Sequence, residues 1–310
     1  MARTEPLPAR PPASPVDAGS IVIPAHNEER VIGPLLTALG GWDGEVVVVA
    51  NGCTDGTADL ARSMGVRVVE TPVPSKIRAL ALGDSHVSRF PRFYVDADVV
   101  LGADDVRALS GALAEPGVHA AGPERLLAMD GVGRAVRAYY DVWTRLPGVR
   151  TELYGRGVIA VDETGHRRLA HWREAMADDL AAAMSFTPAE LRVLAEAQVL
   201  IRPPRRYTDL LRRRIRAATG NAALHRDPRA PRVRGSGASL GELARLVRRE
   251  PALLPPAAVF LVTALLARLG ARWVRVRGST TWLRDESSRL PTPRTTPGAV
   301  SAAPHLASEQ

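Results

Sequence analysis

Two aspartates set close together in an apolar stretch are the residues of this chain best suited to chemistry. Phe93-Tyr94-Val95-Asp96-Ala97-Asp98-Val99-Val100 is a hydrophobic run interrupted by two acids. If the strand continues through them, period-2 alternation puts Asp96 and Asp98 on one face, with both carboxylates directed at one spot. Two anions that close repel unless a cation sits between them. Hard oxygen donors suit Mg²⁺ or Mn²⁺, which take one or two protein carboxylates and fill their other positions with water and substrate phosphates. The pattern reads as a metal–diphosphate site. Its plain alternative is a strand end entering a polar turn, and the rest of the chain has to decide between them.

The elements that would position such a site alternate between strand and helix. Ile21-Val22-Ile23 reads as a short buried strand ended by Pro24, leading into Ala25-His26-Asn27-Glu28-Glu29 with Asn27 as helix N-cap. Pro34 sits too deep for a clean helix, which either kinks there or restarts at Gly33. Glu45-Val46-Val47-Val48-Val49 lacks alternation, as a parallel strand covered on both faces should. It runs into Asn51-Gly52-Cys53-Thr54-Asp55-Gly56-Thr57 and then a helix to about Met64, with Gly65 as its stop. A small-residue loop between strand and helix is where an open α/β sheet binds a nucleotide; Asp55 alone would equally serve as a cap. A third strand, Val66 to Glu70, precedes a helix from Ser75 to Ser88 that carries Lys76 and Arg78 at its start. The first 120 or so residues therefore read as a mostly parallel α/β sheet. Further on, Glu124 to Arg145 reads as a helix, with Tyr139, Tyr140 and Trp143 as packing residues.

Composition sets the outer limits. With 310 residues, 45% hydrophobic and 24% charged, the chain is long enough for one large domain, or one domain with an appendage. The single cysteine, Cys53, excludes an intramolecular disulfide and any cysteine-built zinc site, in keeping with a reducing compartment. His26, His86, His119, His166 and His171 show no metal-ligand spacing. The formal charge of +8 divides unevenly: residues 1 to 200 carry a net −6 and residues 201 to 290 a net +14. The basic back part calls for an anionic partner, whether a phosphate-bearing substrate, an anionic membrane surface or nucleic acid. Lys76 is the one lysine among 41 basic residues, and a compact ammonium is not equivalent to a guanidinium at a phosphate contact.

Four segments in order resemble family 2 glycosyltransferases. Ile21 to Glu29 is similar to their opening strand, and Asn51-Gly-Cys-Thr-Asp-Gly-Thr57 to their second-strand loop. Lys76-Ile-Arg-Ala-Leu-Ala-Leu-Gly83 is similar to their Lys-Gly-x-Ala-Leu-Asn-x-Gly segment, and Asp96-Ala97-Asp98 to their metal-binding Asp-x-Asp. The resemblance extends over residues 20 to about 183 and implies a GT-A fold, a nucleotide-diphospho-sugar donor and a divalent metal, Mg²⁺ or Mn²⁺. It implies that Asp98 holds the metal and Asp96 the metal shell or ribose. Pro24, Asn27, Glu28, Asn51, Asp55 and Lys76 then fall on the donor side. Ala50 and Asn51 replace the family's usual aspartates, so uridine specificity does not carry over. Gly155-Arg-Gly-Val-Ile-Ala-Val161 is similar to the glycine-containing loop and strand that face the acceptor. Ala177-Asp178-Asp179-Leu180 resembles the Glu-Asp motif whose second acid is the base, here Asp179 with Asp178 beside it; capping of a helix Leu180 to Met184 is the other use for these acids.

In the back part the family's Gln-x-x-Arg-Trp is missing. Arg212-Arg213-Arg214-Ile215-Arg216 occupies its place, and Arg213 and Arg216 would neutralise a leaving diphosphate or else form a solvated basic face. Ala257 to Ala267 is an uncharged run of 11 residues, too short to cross a membrane. It fits a helix lying on a bilayer or docked on the catalytic domain, and Trp273 and Trp282 with their arginine neighbours suit an interface.

The expectation is a metal-dependent, inverting hexosyltransferase of cell-envelope, glycolipid or polysaccharide synthesis. Its acceptor would be lipid-linked or a small molecule, with no nucleic acid partner and a cytoplasmic location peripheral to the inner face of the membrane. Residues 1–18 form a disordered leader, 19–200 the catalytic domain, 201–290 a basic helical extension and 291–310 a disordered tail. Two rivals stand against it. A nucleotidyltransferase needs a Gly-rich phosphate loop after the first strand, which Pro24 to Glu28 is not. A non-catalytic, membrane-associated nucleotide-sugar-binding protein would have little use for Asp98 and Asp179.

Overall fold

A run of consecutive apolar residues in a strand puts apolar side chains on both faces, and Ile21–Ile23, Val47–Val49 and Phe93–Val95 are buried accordingly. The computed structural model describes residues 18–171, 185–224 and 239–276. The strands are β1 (Ser20–Ala25), β2 (Glu45–Asn51), β3 (Arg67–Thr71), β4 (Arg92–Val95), β5 (Val99–Leu101), β6 (Ala120–Leu127), β7 (Val158–Val161) and β8 (Leu191–Ile201). They form one sheet in the order β3-β2-β1-β4-β7-β6-β8-β5. The β1–β2, β1–β4, β2–β3 and β6–β8 pairs are parallel, whereas β4–β7, β6–β7 and β5–β8 are antiparallel. The expected α/β architecture is thus the one found, with β3-β2-β1-β4 paired in parallel throughout.

Alternation sorts the core into two layers. Ile21, Ile23, Val48, Phe93 and Val95 join one cluster with α1 (Ile32–Ala38) and α4 (Ala103–Leu113). Val22, Val47, Val49 and Tyr94 join the opposite cluster with α3 (Lys76–Asp84) and α7 (Glu163–His171). The remaining front helix, α2 (Thr57–Ser63), ends at Gly65 with φ +78°, as the sequence predicts. Pro24 does not end β1 but pairs within it, opposite Val49. β4 accompanies β1 only over Ser20–Val22, so Pro24 lies where one side of the strand has already lost its partner.

The link from β4 to β5 shapes the whole sheet. These strands are four places apart, roughly 19 Å at about 4.8 Å per step in a flat sheet. Yet Val95 and Val99 are joined by four Cα steps, which span at most about 14 Å. The far half must therefore curl back, and a bulge between Pro123 and Glu124 in the β6–β8 ladder supplies local bending.

Two expected helices are corrected. Glu124 to Leu127 is strand, paired with Gln198 to Ile201 of β8; only beyond Gly131 and Gly133 does α5 (Arg134–Trp143) begin. Ladder partners distant in sequence outweigh the local pattern there. Asn27 is not a helix cap: it adopts φ +54°, and the first helix starts at Ile32.

Behind the sheet, α5 and α6 (Pro147–Thr151) share a third core with α8 (Tyr207–Leu224), α9 (Leu240–Arg249) and α10 (Leu254–Val276). Phe260 of α10 stacks on Tyr139 with centroids 5.2 Å apart, and Tyr139, Tyr140 and Trp143 pack as expected. The uncharged run proves to be the middle of a 23-residue helix. Pro251–Val274 is long and apolar enough, by length and composition alone, to cross a bilayer; the helix outruns the 11-residue run because Arg268 and Arg272 interrupt the apolar pattern without interrupting the helix.

Candidate active site

The loops at the carboxyl ends of β1 and β2 brace each other through side-chain bonds to backbone. Asn27, in the left-handed region that asparagine tolerates, accepts from the Thr54 amide through Oδ1 at 2.7 Å and donates to Thr54 Oγ1 at 3.2 Å. The Glu28 amide donates to Thr57 Oγ1 at 2.8 Å, and the Glu29 amide to Asp55 Oδ2 at 3.3 Å. Asp55 also accepts from the Thr57 amide at 3.1 Å. The Asn27 amide meets Cys53 Sγ at 3.4 Å, and burial pushes that thiol's pKa up. The amides of residues 27 to 29 are thus engaged within the loops instead of forming a cradle for phosphate, which argues against the nucleotidyltransferase rival.

Asn51 ties three segments together. It donates to the Ala25 carbonyl at 2.7 Å and accepts from the Ser75 amide at 3.1 Å; its own carbonyl accepts from His26 Nδ1 at 2.6 Å. With 4% exposure, its side chain acts on the backbone of the site. Ser75 in turn caps α3, accepting from the Arg78 amide at 3.3 Å, and that cap fixes where Lys76 begins.

Lys76 reaches across to Asp96, Nζ to Oδ1 2.6 Å, with both side chains 32% exposed. The pair sits in a narrow pocket of about 10 Å³ lined by Pro24, Leu80, Tyr94 and Gly157 among others, room for about one water. The Tyr94 hydroxyl is held beneath by Asp84 at 3.1 Å and by His166 at 3.0 Å; burial, then the Asp84 charge, push its pKa well up, so it stays protonated.

The two aspartates do not lie on one continuous strand, as the period-2 argument required. β4 stops at Val95, residues 97 and 98 turn, and β5 starts at Val99. The cause is the change of partners, because the chain leaves β1 and β7 to join β8. The turn still presents both carboxylates: Ala97 is buried between them, while Asp96 and Asp98 are partly exposed. No group of three His, Cys, Asp or Glu able to hold a metal occurs among the described residues. Two carboxylates on one turn fit a hard divalent cation that completes its shell from diphosphate and water.

The glycine-containing loop before β7 closes on this turn. The Asp96 amide donates to the Gly157 carbonyl at 2.8 Å. Gly157 has φ +67°, and a Cβ there would come within 2.6 Å of Val99 Cγ1. Arg156, which the sequence reading left without a role, is fully buried and pins the loop. It donates to the carbonyls of Pro123 at 2.6 Å, Arg150 at 2.8 Å and Glu152 at 2.9 Å. Burial and then the Arg125 charge lower its pKa, yet a guanidinium so bonded keeps its proton. An arginine between two glycines was the only sequence signal for it.

The structure brings Pro24, Lys76 and Asp96 into one pocket, with Asp98 on the same turn and Asn27, Glu28, Asn51 and Asp55 in the bracing loops. Arg213 and Arg216 are not among the pocket-lining residues; they lie on α8, which packs against α5 and α10. Asp178, Asp179 and the expected helix Leu180 to Met184 lie outside the described residues, as do residues 1–17, Trp282 to Arg289 and the tail.

Residues 20–169 match the family model described as Glycosyl transferase family 2. Among solved structures, the chain is similar to glucosyl-3-phosphoglycerate synthase from Mycobacterium tuberculosis in complex with Mn²⁺, uridine-diphosphate-glucose and phosphoglyceric acid. Identity is 19% over 69% of this chain and 85% of that one, with a TM-score of 0.49. The same synthase with Mn²⁺, uridine-diphosphate and glucosyl-3-phosphoglycerate gives 18%, 70%, 86% and 0.49. A mycobacterial protein gives 20%, 66%, 73% and 0.46. No curated protein matches the sequence at a significant level.

Proposed function

We propose, on the match of residues 20–169 to the family 2 glycosyltransferase model, that this chain is a metal-dependent, inverting enzyme moving a hexosyl group from a nucleotide diphosphate to an acceptor hydroxyl. The observation that carries the reading is the Lys76–Asp96 pair at 2.6 Å, set in a pocket beside Asp98. On donor binding Lys76 exchanges Asp96 for a phosphate oxygen. Asp96 and Asp98 would then hold Mg²⁺ or Mn²⁺, which would supply positive charge to the departing diphosphate. Asn27, Glu28, Asn51 and Asp55 keep the nucleotide side in shape, and Pro24 forms part of its wall. Arg213 and Arg216, on α8 outside the pocket lining, add to the positive field that draws in an anionic donor. Asp179 takes the acceptor proton; the acceptor oxygen bonds to the anomeric carbon; the bond from that carbon to the diphosphate oxygen breaks, its electron pair leaving on the nucleotide. The acceptor is lipid-linked or small, and the work is cytoplasmic, at the inner face of the membrane, in cell-envelope glycan synthesis.

A panel of nucleotide-sugars, scored for metal-dependent hydrolysis and for thermal stabilisation, tests this. A true donor at 100 times its dissociation constant stabilises by about 2.7 kcal/mol. Asp98→Asn should cut turnover by roughly 10²- to 10³-fold with melting unchanged; undiminished activity in EDTA sinks the metal. Asp179→Asn should lose roughly 10²-fold or more in transfer while keeping donor binding and stability, because asparagine caps as well as aspartate. Asp178→Asn should lose less, and the reverse order would move the base by one residue.

A further inference from the structure

Among the described residues, most of the exposed large apolar side chains lie along α10. Ten are exposed among the described residues, and seven of them lie on this helix, including Leu254, Leu261, Val262, Leu265, Leu269 and Trp273. At about 100° per residue they fall within an arc of roughly 140°. Ala257, Phe260, Thr263, Ala267 and Ala271, all buried, occupy the opposite face, where α10 meets α5 and α8.

Three occupants would cover such a face: a bilayer it crosses, a bilayer it lies on, or a second copy of the chain. Crossing is opposed by packing. At about 1.5 Å per residue the 23 residues reach roughly 35 Å, enough to span. But the buried face is committed to α5 and α8, whose arginines would be dragged into hydrocarbon. A second copy is opposed by charge, because pairing two such faces would bring together two segments of net +14 each. That same charge favours an anionic lipid surface. Arg268 and Arg272 are exposed on α10, and α9 leads into it with exposed Arg245, Arg248 and Arg249. Tryptophan at one end and arginines able to bend their stems toward headgroups are the side chains an interfacial helix uses.

We propose that the exposed face of α10 lies in the plane of an anionic bilayer, its leucines at the headgroup–acyl boundary and its arginines on lipid phosphates. Docking itself stands on α10; that it delivers the enzyme to a lipid-borne acceptor rests on the glycosyltransferase reading above.

Flotation of the full chain with vesicles separates these possibilities. Wild type should float with phosphatidylcholine vesicles containing phosphatidylglycerol. Its partition should fall about tenfold or more in high salt, where exposed charges are screened, and should be weak with phosphatidylcholine alone. L261E/L265E should lose binding at least tenfold, and R268E/R272E should lose the preference for anionic lipid. Because a double variant can misfold, bromolipid quenching of tryptophan offers a second reading: wild type should be quenched, and W273F should lose that component. Absence of flotation, binding indifferent to L261E/L265E, or a lipid-free dimer abolished by L261E/L265E would each overturn the proposal. D98N should float like wild type, so loss of sugar transfer and loss of docking are told apart.

Discussion

The loops above β1 and β2 and the helical layer of α8 to α10 are held together by opposite means. In the loops nearly every polar side chain bonds to the backbone of a segment some 25 residues away, as Asn27 does with Thr54 and Asn51 with Ala25. In the helices the cohesion is apolar, with Phe260, Ala257, Leu210 and Leu243 gathered around Tyr139 and Val136. Directional bonds fix where a carboxylate or ammonium sits to within a few tenths of an ångström but add little net stability each. Apolar packing contributes more stability and less direction. Damage to the front should therefore show in ligand affinity, and damage to the back in melting.

The sharpest way to break that contrast is Phe260→Ala. Removing a buried ring stacked on Tyr139 should cost about 3–5 kcal/mol in denaturant unfolding, while the folded fraction binds donor as before. A parallel loss of donor affinity would mean that the helices and the site are one unit. Gly157→Ala comes next. A Cβ 2.6 Å from Val99 Cγ1, at φ +67°, should cost about 1–3 kcal/mol. It should also weaken donor binding more than Phe260→Ala does, because the Asp96 turn must shift.

The smallest effect is at the far pole of β2. Burial works against the Glu45 carboxylate, but bonds from Ser20, Ser88 and Arg89 outweigh it and bring its pKa to about 2 from an ordinary 4.5. A depressed acid stabilises fully above its unfolded pKa and progressively less as pH falls toward the folded one. The melting difference between wild type and Glu45→Gln should hold above pH about 4.5 and close as pH approaches about 2. Donor binding by the variant should be unchanged at neutral pH.

What could be read from the residues follows the same division. β1 to β4, α2 and α3 lie close to their expected places because an apolar run between turn residues is a local signal. The pocket partners Lys76 and Asp96 both stand out in the sequence, though not as an ion pair. Misreadings came where a distant partner decided the outcome. Glu124 to Leu127 becomes strand because β8 is beside it, and Asp96 and Asp98 part from a common strand because β5 changes partners. Arg156 escaped notice because its bonds are to carbonyls, and a carbonyl has no letter in a sequence.

The solitary lysine has a practical consequence. Apart from the terminal amine, Lys76 is the chain's one primary amine, and at 32% exposure a small acylating reagent can reach it. Acylation would erase the ammonium that holds Asp96, so one covalent event would both report on the pocket and disable it. The rate of that modification, followed by intact mass, becomes a gauge of occupancy: a ligand that protects Lys76 has entered the pocket, whatever sugar it carries.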